Sequence, residues 1–224
     1  RPKREINART APPMFCTRRP PVGIALDLSL AELALGSAFG AFRSGIKRLV
    51  GSAGQRRRRA GSFAVEILGK RLLSCPVAFA ESWRRCWEGL AEERAASEAE
   101  VESARRAVDR DTADDREAQS REATAASVVG SWLKGVQDAL RDEMGALDRS
   151  LADLGFDLAR NDLPAQTPVK DARFDALCGL IDRLLLEKGQ WSDDERLVVF
   201  TEYKTTLDYL VRRLRERYPA ERVL

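Results

Sequence analysis

The chain has 224 residues, 44% hydrophobic and 33% charged, with no histidine, four cysteines and a formal net charge of +3. Without histidine, Ser-His-Asp and Cys-His catalysis and histidine-based metal sites are excluded. Cys16, Cys75, Cys86 and Cys178 show no C-x-x-C spacing and read as buried free thiols of a reducing compartment.

The charge is unevenly spread. Residues 1–60 hold 13 Lys/Arg against 3 Asp/Glu, and residues 91–125 hold 6 against 11. This combination suits a basic surface for a polyanion and a separate, solvated acidic element. No apolar run reaches the ~18 residues that span a bilayer, and the first 20 residues are basic and Pro-rich without the apolar core of a signal peptide. The expectation is a cytoplasmic protein with no membrane partner.

In chain order, residues 1–22 read as a basic extended segment, because each proline biases its predecessor away from helix. Val22–Leu28 alternates loosely and is a candidate strand. Ser29 and Glu32 have capping-box spacing. The helix they open carries Leu30, Leu33, Phe39, Phe42, Ile46 and Leu49 and ends near Gly51. Gly51–Ser62 is a loop by composition. Its Arg56, Arg57, Arg58 and Arg59 are candidates to neutralise nucleic-acid phosphates. Phe63–Leu73 reads as a short helix, and Pro76 suits the first turn of the next, whose Phe79, Trp83, Trp87 and Leu90 read as packing residues.

Residues 91–125 form a charged tip, helical or disordered. Val129, Leu133, Val136, Leu140, Met144, Leu147, Leu151 and Leu154 then follow a near-heptad. Two pictures fit: a long antiparallel helical hairpin within the chain, or a dimeric coiled coil. Gly155 is a candidate C-cap. Residues 156–170, with their prolines, read as a linker. Asp171 caps a helix predicted to Lys188. Leu197–Thr201 reads as a strand buried on both faces, as in a parallel sheet. Thr205 or Thr206 caps a last helix with Leu207, Leu210, Val211 and Leu214 inward. Helix, buried strand, helix, then Val223–Leu224 opening a new apolar run, reads as the opening of a βαβ unit, and the chain as a piece of a larger protein.

No catalytic constellation is complete. There is no G-x-x-x-x-G-K-[ST] phosphate loop and no G-x-G-x-x-G. Asp193-Asp194-Glu195 precedes the expected strand, on the wrong side for a Mg²⁺-binding acid, and reads as a turn. The carboxyl end of that strand is Thr201-Glu202-Tyr203-Lys204, where an α/β domain places its ligand, and the next helix N-terminus offers free N–H groups to a phosphate. Simple turn and capping roles fit the same spacing.

The stretch DARFDALCGLIDRLLLEKGQWSDDERLVVFTEYKTTLDYLVRRL closely resembles the opening of the second RecA-like domain of superfamily II helicases and Swi/Snf-type DNA translocases. Leu197–Thr201, Tyr203, Thr206-Leu207, Leu210 and Leu214 match its strand-and-helix pattern, and Lys170 or Arg173 stands near its usual lysine. Arg1-Pro2-Lys3-Arg4-Glu5-Ile6 resembles the R-R-x-K-x-[DE]-[IV] segment that follows the first lobe. Lys70 to Trp83, KRLLSCPVAFAESW, resembles the K-R-x-x-S-S-P-x-A-F segment of large bacterial members, among them the helicase component of DISARM phage-defence systems. Cys75 stands in place of the second serine.

These blocks cover about a third of the chain. The resemblance implies a mainly α chain with an α/β C-terminal piece. Its parts would be residues 1–22 from the end of the first lobe, a helical interlobe region over 23–155, a linker over 156–170, and a truncated RecA-like lobe over 171–224. It implies ATP and Mg²⁺ for the intact protein and none bound by this piece alone, which would be inactive by itself. Its partners would be double-stranded DNA, the remaining lobes and other defence-system subunits. Thr201, with Tyr203 and Lys204, would touch the nucleic-acid backbone. The competing expectation is a non-enzymatic helical module that dimerises through Val129–Leu154.

Overall fold

The computed structural model describes residues 8, 10–11, 21–187 and 189–224. Most of the basic segment 1–22, including Cys16, lies outside the described residues. The described part is mainly helical: α1 Leu30–Val50, α2 Gln55–Ser74, α3 Pro76–Leu90, α4 Glu98–Val108, α5 Asp115–Leu133, α6 Arg141–Asp153, α7 Ala172–Leu185 and α8 Lys204–Arg217. A two-residue strand pair, β1 Leu186–Glu187 and β2 Gln190–Trp191, is antiparallel, with Gly189 at φ 81° between them. No helix among the described residues is long and apolar enough to cross a membrane.

Local chemistry sets several boundaries where the sequence puts them. Ser29 and Glu32 close a full capping box on α1. Pro76 occupies the first turn of α3, and the Cys75 thiol accepts the Ala78 N–H at 3.3 Å as its cap. α6 ends in a Schellman motif: Phe156 N–H bonds to Leu151 O at 3.0 Å and Gly155 N–H to Ala152 O at 2.8 Å. Gly155 sits at φ 90°, a conformation that favours glycine.

The core lies among α1, α2, α3, α5 and α6. Phe39 and Phe42 of α1 meet Phe79 and Trp83 of α3 edge-on, with centroids 5.8 Å (Phe39–Phe79) and 5.6 Å (Phe42–Trp83) apart. Trp83 and Trp87 both donate their indole N–H to one oxygen of Asp148 in α6, at 2.7 and 2.9 Å. Trp83 is fully buried, whereas Trp87 is 41% exposed and keeps only one side in the core. Leu30 and Leu33, expected inside, are exposed at the start of α1.

The charged stretch 91–125 is helical, and it corrects the antiparallel hairpin. α4 takes the chain back, so α3 and α5 run parallel. Matched positions advance together along the two helices: Glu81 and Gln119 share Thr205, Cys86 meets Ala126 and Gly130, and Gly89 meets Ser127 and Ser131. At the crossing the backbones almost touch. A Cβ on Gly89 would land on Ser127 O, and one on Gly130 on Cys86 O. Only glycine fits at such an approach.

The near-heptad is likewise two helices and not one. α5 stops at Leu133, a 3₁₀ turn spans Gln137–Leu140, and α6 follows. All eight stripe residues are buried in this chain's own core, so a coiled coil built on the stripe would require that core to open.

Other differences have plain causes. Val22–Leu28 has no strand neighbour among the described residues and stays irregular, exposed up to Asp27. The loop expected over 51–62 shrinks to 51–54, because arginine is a good helix former and α2 starts at Gln55. The linker 156–170 is docked: Phe156 is buried, Leu163 is fully buried in a 3₁₀ turn, and Val169 N–H bonds to Leu154 O. α7 stops at Leu185, three residues early, where the β1–β2 hairpin begins.

The largest correction concerns Leu197–Thr201. It is not a strand. Leu197–Phe200 make no backbone–backbone hydrogen bond among the described residues, and Val198 and Phe200 are 68% and 92% exposed. A strand needs a hydrogen-bonded neighbour, and among the described residues the only pairing is the short hairpin. The described residues therefore contain no RecA-like sheet.

Candidate nucleic-acid interface

Two places hold the residues singled out in the sequence. The first is the N-terminal turn of α2. Gly54 precedes it without a side-chain cap, no acid lies in the first turn, and Arg56–Arg59 are all exposed. Successive helical residues turn by roughly 100°, so four arginines cannot share one face. Arg56 and Arg59 line a hollow of about 450 Å³ with Glu98, Glu102, Ser103 and Arg106 of α4. Glu102 is taken by Arg105 and Arg106. Among the described residues Arg56–Arg59 have no ion-pair partner, whereas Arg48, at the end of α1, is paired with Glu143 at 3.0 Å. Four cations at the positive end of a helix dipole oppose it, each by ~0.3–1 kcal/mol.

The second place joins the segments Lys70–Pro76 and Phe200–Thr206, which lie far apart in sequence. Phe200, Thr201, Glu202, Tyr203 and Thr206 line a cleft of about 410 Å³ with Lys70, Leu73 and Ser74. The Arg71 guanidinium lies 3.7 Å from the centroid of the Tyr203 ring and is ion-paired with Glu122 of α5. Thr206 hydrogen-bonds with Ser74 at 2.6 Å and with Cys75 at 3.4 Å. Thr205 accepts from Gln119 and donates to Glu81, both at 3.1 Å. Burial raises the Tyr203 phenol pKa, with the charge of Arg71 pulling the other way. Burial likewise raises the Cys75 thiol.

Of the three expected backbone-binding residues, Thr201 lies at the cleft wall, where its hydroxyl accepts the Tyr203 N–H at 3.4 Å. Tyr203 is buried under Arg71. Lys204 is held by Asp208 at 2.7 Å. Neither Thr205 nor Thr206 caps α8; Tyr203 occupies the cap position, and both threonines turn inward within the first helical turn.

Sequence reasoning missed Arg71, Glu81, Gln119 and Glu122. Nothing in a helix-favouring sequence marks which charged residue faces another helix. The sign was present only in the adjacency of Lys70 and Arg71 to the Ser74-Cys75-Pro76 break.

α8 departs from the usual amphipathic arrangement, with two threonines on its covered face beside the Tyr209 ring. Its buried residues are Thr205, Thr206 and Tyr209, and Tyr209 donates its hydroxyl to Asp171, the α7 cap, at 2.7 Å. Of the four residues expected inward, Leu210 packs against the core as expected, while Leu207, Val211 and Leu214 line an open groove of about 610 Å³ shared with Ile181, Leu185 and Leu197–Val199.

Among the described residues no group of three or more His, Cys, Asp or Glu side chains is placed to hold a metal ion. Comparisons with protein-family models, with curated proteins and with solved structures return no match.

Proposed function

We propose that the chain is the interlobe region and the start of the second lobe of a Swi/Snf-like, superfamily II DNA translocase, in which it supplies contacts to the phosphate backbone of double-stranded DNA. The observation that carries the DNA contact is the unpaired Arg56–Arg59 run at the N-terminus of α2. The run opposes the helix dipole, and a polyanion relieves that opposition. Two further features fit the family reading. The KRLLSCP and FTEYKTT blocks that carry the resemblance lie together in space. Leu197–Phe200 presents an apolar, unpaired backbone between two helices, the form of a strand that waits for a sheet.

In this reading ATP and Mg²⁺ belong to the other lobes of the intact protein. Their role is positioning and charge stabilisation at the transferred phosphoryl group. The residues here contribute grip on the DNA, with affinity and no sequence preference. The test is binding to a fluorescent DNA duplex across a salt series. Affinity falls steeply with salt, and replacing Arg56 and Arg59 by Gln lowers the logarithmic salt slope by about 0.9 for each phosphate that is no longer neutralised. An affinity insensitive to salt overturns the reading.

A further inference from the structure

The turn that opens α8 begins at Tyr203, one of the residues expected at the nucleic-acid backbone, and the helical body covers it together with Thr205 and Thr206. Arg71 lies over Tyr203, Ser74 and Cys75 hold Thr206, and Glu81 with Gln119 holds Thr205. The contacts at the first turn of α8 are hydrogen bonds and a guanidinium–ring stack, and further along the helix the Tyr209 ring and Leu210 pack against the body's core. Leu207, Val211 and Leu214 point the other way. A contact made of paired polar groups exchanges for water at little net cost. Apolar burial does not, and polar interfaces of this kind are typical of parts that move relative to one another.

We propose that this contact is an autoinhibitory latch. In the docked state the body occludes Tyr203 and the backbone N–H groups at the start of α8, and nucleic-acid backbone reaches them only after α8 swings away. Arg71 is the centre of the latch. It is 5% exposed and joins α2, α5 and the 203 position through its ion pair with Glu122 and its stack on Tyr203. The DNA-facing part of the inference rests on the proposed function; the latch itself does not.

The experiment compares the wild-type chain with Arg71→Ala and Thr206→Val by hydrogen-exchange mass spectrometry and by duplex DNA binding. Thr206→Val keeps the side-chain shape and removes only the bonds to Ser74 and Cys75, so it reports even where Arg71→Ala unsettles the fold. The expected result is exchange about tenfold faster over 204–210 in both variants with peptides of α3 and α6 unchanged, together with DNA affinity several-fold higher. Arg71→Ala removes a positive charge, so tighter binding by that variant is not a charge effect. Unchanged exchange in α8, or α8 and α3 loosening together, overturns the latch whatever the DNA result. Faster exchange in α8 with unaltered affinity, while the Arg56 and Arg59 variants still weaken binding, overturns the autoinhibition and leaves the basic surface standing. Faster exchange with no DNA binding by any form removes the proposed function and, with it, the inhibitory role.

Discussion

The helical body, residues 30–165, and the C-terminal part, residues 171–224, solve the burial problem in opposite ways. In the body each apolar stripe finds another: Phe39 and Phe42 meet Phe79 and Trp83, and the whole near-heptad from Val129 to Leu154 is enclosed. In the C-terminal part the polar face of α8 is enclosed, and Leu207, Val198 and Phe200 lie open to solvent. Both regions carry equally clear amphipathic patterns in sequence. A pattern states which face must be covered and leaves open what covers it.

The same substitution in the two regions tests this difference most severely. Leu147→Asp places an unpaired carboxylate in the closed core and costs more than about 5 kcal/mol, enough to lose the helical signal in far-UV circular dichroism. Leu207→Asp on the open face changes stability by no more than about 0.5 kcal/mol. Equal costs at the two positions would falsify the contrast.

Gly130→Ala drives a methyl group into the Cys86 backbone at the α3–α5 crossing. It lowers stability by about 3 kcal/mol or more in a urea titration, with α8 peptides no more affected than the rest. Gly155→Ala, forced to φ 90°, costs about 1–2 kcal/mol. Arg58→Glu runs the other way. It adds about 0.3–1 kcal/mol of stability at the α2 N-terminus while weakening DNA binding, and a variant that destabilises removes the dipole argument.

Acid sharpens the comparison at its seam. Burial pushes the Glu32 carboxyl up, but the Ala172 and Ser29 N–H groups outweigh it and hold the pKa below its usual 4.5. One of its oxygens accepts from Ala172 at 2.8 Å, which ties α1 to the start of α7. The folded value is depressed, so this contribution is complete above about pH 4.5 and is lost as pH falls through the folded pKa. Glu32→Gln flattens that part of the stability–pH curve, and an unchanged slope removes the role.

Much of the body is legible in the sequence because its signals are local. The Ser29–Glu32 box, Pro76, Gly155 and Asp171 mark helix ends through bonds made within a few residues. The parallel α3–α5 pair is not legible, since residues 91–114 show only a charged, Ala-rich composition and not the direction of return. Arg56–Arg59 read as a loop in sequence because flanking glycines mask arginine's helix propensity. Leu197–Thr201 has strand composition, yet pairing is a long-range matter, and the described residues supply no neighbour. The cleft between Lys70–Pro76 and Phe200–Thr206 joins segments more than a hundred residues apart, a separation that no spacing rule spans.

The shared carboxylate oxygen of Asp148 has an optical consequence. It holds the Trp83 and Trp87 rings edge to face with centroids 6.5 Å apart, close enough for their ultraviolet transitions to couple. Trp191 stands apart, edge-on to Tyr218 at 5.5 Å. The body and the C-terminal part thus each carry their own chromophore pair. Near-ultraviolet circular dichroism of the unlabelled chain can follow the two as separate signals, with Asp148→Asn and Trp191→Phe to assign them.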